Sequence, residues 1–94
     1  MTAGQTMQFI NAAGISWRRD GSGTIVVNDR DRRAHRITGI AEVVWDCLLL
    51  SYPYPKIVET VAQLSSSTLA SADEDIYALL CEWRDLGLVA VKEK

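Results

Sequence analysis

The first half of the chain groups its hydrophobic residues in short runs of β-forming residues between polar turns, a pattern that predicts β-strands. The segments "ISWRR" and "TIVVN" are rich in β-forming residues, and "DGSG" between them is typical of a hairpin turn. A second turn, "NDRD", precedes a third strand, "RRAHRI", on which only Ile37 is firmly apolar. Because so few of its side chains can be buried, this third strand is expected at the edge of an antiparallel meander.

From Thr38 onward the apolar spacing becomes helical, and it predicts three helices. Thr38 is a candidate N-cap for the first, which carries apolar residues at positions 40, 43, 44, 47 and 48. "SYPYP" ends this helix, and Pro55 suits the first turn of the second. Ser71 and Glu74 form a capping box for the third helix, and Gly87 suits its end. "LVAV" then forms a short strand or an extended tail.

The order of these elements predicts a small α+β domain with a winged-helix-like arrangement. A three-stranded antiparallel β-meander is followed by three α-helices. The composition, 94 residues with 48% hydrophobic and 23% charged, suits one small globular unit. Residues 1–14 are expected to be a flexible N-terminal tail, and residues 15–91 a single domain.

Charge is distributed unevenly along a chain whose net charge is −2. Residues 1–47 hold six Arg against five Asp and Glu, a balance of +1, and four of these arginines lie within residues 30–36. Residues 48–94 hold four Lys and Arg against seven Asp and Glu, a balance of −3. A nucleic-acid partner is not expected, because such partners favour strongly basic domains.

A winged-helix regulator that binds DNA is nevertheless an alternative, with the third helix in the major groove. That helix, in the segment "DEDIYALLCEWRDLGL", carries five acidic residues and one arginine. DNA phosphates would repel such a surface, which makes this the weaker hypothesis.

The residues that catalysis requires are scarce. His35 is the single histidine, on a strand expected to be exposed, and the acidic run at residues 73–75 suits a helix N-terminus. Cys47 and Cys81 lie in apolar periodic segments, which favours buried thiols over a disulfide. We therefore expect no enzymatic activity, cofactor or metal. With no signal peptide or membrane-spanning run, the expected location is the cytoplasm.

The ordered segments resemble the PqqD-like family, the recognition elements for precursors of ribosomally synthesised, modified peptides. The resemblance covers residues 15–91. Its segments are a strand pair ending "TIVVND", a third strand running into "RITGIAEVVWDCL", the helix "PKIVETVAQL" and the closing "ALLCEWRDLGLVAV". The family pattern Leu-Asn-x-x-small-x-x-aliphatic-Trp is matched at Ile37, Thr38, Ala41, Val44 and Trp45.

The resemblance implies a non-catalytic domain that binds the leader of a precursor peptide and presents it to a maturation enzyme. The leader adds as a strand beside the third strand, in the cleft between that strand and the third helix. Edge-strand addition takes affinity from backbone groups and specificity from flanking pockets. The residues implied in leader binding are Arg32, Arg33, Ala34, His35, Arg36, Ile37, Asp75, Ile76, Leu79, Leu80 and Trp83.

Several alternatives stay open at this point. The enzyme partner is a lasso-peptide leader peptidase or cyclase, or a radical SAM enzyme, and the protein is a monomer or a homodimer. The apolar residues of the third helix suit a core as well as a site. The arginines either guide the leader or keep an exposed edge soluble. An accessory subunit that binds no peptide shares most of these features.

Overall fold

The computed structural model describes residues 7–21 and 23–93, which form two small antiparallel sheets and three helices. The elements in chain order are β1 (Met7–Asn11), β2 (Ile15–Asp20), β3 (Gly23–Asn28), β4 (Arg33–Ile37), α1 (Ile40–Leu49), α2 (Tyr54–Ser65), α3 (Leu69–Asp85) and β5 (Val89–Glu93). The predicted α+β fold, a three-stranded antiparallel meander followed by three helices, is confirmed.

β2, β3 and β4 form the meander, with β3 in the centre and β4 at an edge, as predicted. Side chains alternate between the two faces of a strand, and Thr24, Val26 and Asn28 of β3 turn to the buried face. Ile37 is the buried residue of β4, opposite Thr24. One face of the meander therefore covers the core.

The three helices build the core beneath this face. Each places its apolar stripe inward, and Trp45 of α1 meets Trp83 of α3 edge to face, with ring centroids 5.8 Å apart. Cys47 and Cys81 are free thiols, and burial raises the pKa of the Cys47 thiol. No helix within residues 7–21 and 23–93 is long and apolar enough to span a membrane.

The second sheet corrects the expectation of a flexible tail at residues 1–14. β1 pairs with β5 in antiparallel register, and Asn11 lies opposite Val89. Phe9 is buried, and its ring lies 6.4 Å from that of Tyr54 and 6.3 Å from that of Tyr77. Burial of this ring against two helices fixes β1 to the domain, which therefore begins before residue 15. Residues 1–6 of the expected tail lie outside the described residues.

Two expected helix starts are also corrected. α1 has Gly39 rather than Thr38 at its N-cap, with φ of 65° and no side-chain capping bond. Glycine reaches such positive φ without steric cost, so the chain turns sharply from β4 into α1. α3 begins before the expected Ser71, because the Thr68 side chain accepts a hydrogen bond from the Ser71 N–H, 3.1 Å away.

Candidate peptide-binding cleft

The edge of β4 is open on the side away from β3. Within the described chain β4 pairs with β3 alone, and its residues Arg33 to Arg36 are exposed or partly buried. An unpaired edge presents a row of backbone donors and acceptors to any strand that approaches it. β4 therefore offers a template for strand addition.

The register of the meander indicates which backbone groups of β4 are available. Asp20 and Gly23 pair across a two-residue hairpin loop, which closes on a hydrogen-bonded pair. Hydrogen-bonded pairs then alternate along each strand, so β4 turns toward β3 the backbone groups of Arg33, His35 and Ile37. The N–H and C=O groups of Ala34 and Arg36 consequently point to the open side.

The side chains of β4 differ between its two faces. On the core-covering face, Ile37 is buried and the His35 ring is half-buried, with no hydrogen-bond partner for its buried Nε2 in the described structure. Arg33 continues this face and is exposed. On the outer face, Arg36 donates from Nη1 to a carboxylate oxygen of Asp20, 3.0 Å away.

A groove lies among the three helices and includes the first residue of α1, which follows β4 closely in the chain. It forms a cavity of about 210 Å³. Ile40, three residues after β4, is 40% exposed at its rim. The residues that line it are Ile40, Val44, Val61, Ser65, Ser67, Ala72, Asp75, Ile76 and Leu79. The groove is thus mainly apolar, with polar groups from α2, α3 and the loop between them.

The structure brings some of the predicted site residues together and separates others. Asp75, Ile76 and Leu79 line the groove. Leu80 and Trp83 are buried in the core and are not among the groove-lining residues, and the Trp83 ring packs against that of Trp45. They support the wall of the cleft without forming its surface.

Arg32 to Ile37 lie on or beside the β4 edge. Ile40, Ser65 and Ser67 of the groove were not anticipated as site residues. The apolar Ile40 directly after the turn at Gly39 was a signal for the first of these. The two serines come together with it only through the crossing of α2 and α3.

A hydrogen-bonded network holds the meander on α1. The fully buried Thr24 hydroxyl donates to a Glu42 carboxylate oxygen at 2.6 Å and accepts from Arg19 Nη1 at 2.5 Å. Arg19 also pairs with Glu42 and with Asp46, and these contacts raise the pKa of its guanidinium. β2 and β3 are therefore fixed to the helix that follows β4.

A second link joins the β3–β4 turn to the end of α3. Asn28 is buried, and its side-chain amide donates to the Leu86 carbonyl at 3.3 Å while its oxygen accepts from the Arg30 N–H at 3.0 Å. Gly87 has φ of 79°, and a Cβ there would lie 2.6 Å from Asn28 Nδ2. Glycine at this position allows the turn that leads into β4 to pack closely against the α3–β5 junction.

A somewhat larger cavity, of about 250 Å³, lies on another face of α3, away from the open strand edge. Its residues are Tyr54, Pro55, Val58, Glu59, Leu69, Ala70 and Asp73. The Tyr54 hydroxyl donates to an Asp73 carboxylate oxygen at 2.5 Å. Burial, together with this bond, raises the pKa of Tyr54 far above its ordinary value. We favour the smaller groove as the site because its lining includes Ile40, three residues after the open strand β4.

The described residues contain no group of three or more His, Cys, Asp or Glu side chains placed to hold a metal ion. The open strand edge and the adjacent groove are instead suited to an extended peptide. The strand would supply backbone hydrogen bonds, and the groove would accept a side chain.

Comparison with known proteins finds likeness in structure alone. No family model matches the sequence, and no curated protein matches it. A solved structure described as lasso peptide synthetase B1 complexed with the leader peptide has a TM-score of 0.81 and 17% identity, over 88% of this chain and 98% of that one. TbiB1 in complex with the TbiA(beta) leader peptide has a TM-score of 0.81 and 10% identity, over 85% of this chain and 93% of that one. The chain therefore has the fold of these two leader-bound proteins, and the fold implied by the resemblance is confirmed.

Proposed function

We propose that this protein is a non-catalytic leader-peptide-binding protein. It takes up the leader of a ribosomally synthesised precursor by β-strand addition to β4 and presents the precursor to a partner maturation enzyme. The observation that carries this proposal is the open β4 edge beside the apolar groove of α3. The shared fold supports it, since both solved relatives in structure are described as complexes with leader peptides.

Backbone and side chains have separate roles in this mode of binding. Ala34 and Arg36 each offer one N–H and one C=O to the added strand, and each resulting hydrogen bond contributes about 0.5–1.5 kcal/mol. Such bonds hold any extended peptide and do not select a sequence. Selection falls to the groove, where burial of one aliphatic or aromatic side chain stabilises the complex by about 1.5–3 kcal/mol.

The DNA-binding alternative has no structural observation in its favour. Its recognition element would be α3, and the exposed positions of this helix are acidic at Glu74, Asp75, Glu82 and Asp85. These carboxylates would face DNA phosphates across the interface and repel them.

The partner enzyme belongs to one of the classes that handle such precursors, a lasso-peptide leader peptidase or cyclase or a radical SAM enzyme. The proposed place of action is the cytoplasm, where ribosomes supply the precursor. Monomeric and dimeric forms are both compatible with the cleft as described.

An NMR titration tests the proposal directly. The ¹⁵N-labelled protein would be titrated with a synthetic leader peptide encoded by the precursor gene beside its own gene. We expect shifts concentrated in residues 33–40 and 67–79, and slower amide exchange at Ala34 and Arg36 as their N–H groups gain partners. A scrambled peptide of equal composition is the control. Shifts confined to the β2 edge or to the cavity at Tyr54 would contradict the proposed cleft.

A further inference from the structure

The arginines around β4 differ in what they touch. Arg36 pairs with Asp20 through Nη1 at 3.0 Å, and its Nη2 donates to the Asp20 carbonyl at 3.4 Å. Its charge is therefore matched within the meander. The exposed Arg33 side chain has no ion pair or hydrogen bond among the described residues. The Arg33 backbone N–H donates to an Asp31 carboxylate oxygen at 3.0 Å, but its guanidinium forms no ion pair within residues 7–21 and 23–93 and is exposed at the start of the open strand.

His35 lies on the same face of β4 as Arg33, two residues along the strand. Its Nε2 is buried, and no group in the described part of the chain forms a hydrogen bond with it. A buried polar nitrogen without a partner is unfavourable, because the water it has lost is not replaced. A ligand group that binds Nε2 would remove this penalty.

A strand added to β4 would place one side chain beside both groups. The backbone of His35 points to β3, so the residue opposite it on the added strand forms a pair without hydrogen bonds between the two backbones. Side chains of such a pair share one face, with Cβ atoms roughly 4.5–5.5 Å apart. The diagonal distance to Arg33 is roughly 7–8 Å, which a long guanidinium side chain spans.

We infer that Arg33 and His35 form a subsite for a carboxylate side chain, Asp or Glu, of the leader peptide. This inference rests on the proposed function and adds the substrate chemistry that β4 selects. A carboxylate accepts several hydrogen bonds and pairs with a guanidinium, so it satisfies both residues together. A neutral amide would satisfy His35 and leave the charge of Arg33 unmatched.

We take the leader to add antiparallel to β4, as β3 does on the other side. A strand antiparallel to β4 passes Ile37 and the neighbouring groove before it reaches His35 and Arg33. The apolar residue that enters the groove therefore precedes the acidic residue by roughly two to four positions. Asp75 at the groove disfavours a second acid there and reinforces this order.

Selection from a random peptide library tests the subsite independently of any particular leader sequence. Random 12-residue peptides on mRNA display would be selected on the wild-type protein and on the variants Arg33→Ala, Arg33→Glu and Arg18→Ala. We expect wild-type binders to share an Asp or Glu after an apolar residue. For Arg33→Glu the acidic position should change to Lys or Arg. Arg18→Ala removes an equal charge from β2, at the opposite edge of the meander, and should select the same peptides as wild type.

Affinity measurements on one wild-type binder make the test quantitative. Replacing its acidic residue by the matching amide should weaken binding to wild type about tenfold, the size expected for a charge-assisted hydrogen bond. The same replacement should have little effect on Arg33→Ala. His35→Ala should also weaken binding of the acidic peptide. Circular dichroism would verify that the variants remain folded.

The two proposals fail in different ways. If selected peptides shift the β4 amides in NMR spectra but show no acidic preference, or if the Arg33 and Arg18 variants behave alike, the carboxylate subsite is wrong and strand addition stands. If selected peptides leave the β4 amides unshifted, strand addition itself is wrong, and the subsite fails with it.

Discussion

Replacing Ala34 by proline removes one hydrogen-bond donor from the open edge of β4. The Ala34 N–H points away from β3, so the folded domain does not use it. Proline is tolerated on edge strands at such positions, and Arg33 before it already has the extended conformation that a following proline requires. The free energy of unfolding should therefore stay within about 1 kcal/mol of the wild-type value.

Ala34→Pro should weaken leader binding more than it reduces the stability of the fold. The lost hydrogen bond has a net value of about 0.5–1.5 kcal/mol, and a leader carbonyl left unpaired in the interface costs about 1–3 kcal/mol. A combined loss of about 2 kcal/mol corresponds to roughly 30-fold weaker binding at 25 °C. Fluorescence anisotropy with a labelled leader peptide gives Kd, and urea unfolding followed by tryptophan fluorescence gives stability.

Two matched variants test whether the missing N–H at the open edge causes the loss of affinity. Ala34→Gly keeps the N–H and should bind the leader nearly as well as wild type. His35→Pro removes a donor that β4 gives to β3, and should destabilise the domain by about 3 kcal/mol. Wild-type affinity in Ala34→Pro would refute strand addition at β4. Wild-type stability in His35→Pro would show that the inferred backbone alternation is wrong.

Three further predictions concern the contacts that position the cleft. Thr24→Val keeps the side-chain shape but removes the hydrogen bond from the hydroxyl to Glu42, so the free energy of unfolding in urea should fall by about 2 kcal/mol. A decrease below about 0.5 kcal/mol would contradict the role of this bond. Gly87→Ala introduces a Cβ at a position with φ of 79°, where it would also clash with the Asn28 side chain. Thermal unfolding should therefore show a free energy of unfolding about 2 kcal/mol lower than that of wild type. For Tyr54, the pKa in the folded state lies above the ordinary value of about 10. The neutral hydroxyl therefore stabilises the fold fully below pH 10, and this contribution falls as pH rises further, by up to about 1.4 kcal/mol per pH unit. Tyr54→Phe should lack this contribution, so its free energy of unfolding in urea should fall less between pH 9 and 11 than that of wild type. An equal decrease in the two proteins would contradict the prediction.

Local patterns in the sequence predict the elements whose partners are near in the chain. The run of β-forming residues in "TIVVN" identifies β3, because this strand pairs with neighbours joined to it by short turns. The helical spacing after residue 38 identifies α1, since its buried face repeats every turn. β1 is missed, because a short segment around Phe9 acquires strand structure only through β5, about 80 residues away.

Some features of the candidate site follow from the local sequence, and others depend on how the helices pack. The poor apolar content of "RRAHRI" predicts an exposed edge, and this follows from local composition alone. Periodicity places Leu80 and Trp83 on the same stripe as Ile76, but the depth of each residue depends on how α3 crosses the other helices. Ser65 and Ser67 reach the groove through the same crossing, and nothing in the local sequence indicates their place there.

The pairing of β1 with β5 has a consequence for how the domain could be rebuilt. Residue 7 lies opposite residue 93, so the two ends of the described chain are about 5 Å apart, one strand spacing. A short glycine-rich connection would join them, and new ends could open in the exposed loop between α1 and α2. Such a circular permutant would keep β4 and α3 intact. For the same reason, an enzyme fused to either end would attach to the domain at nearly the same point.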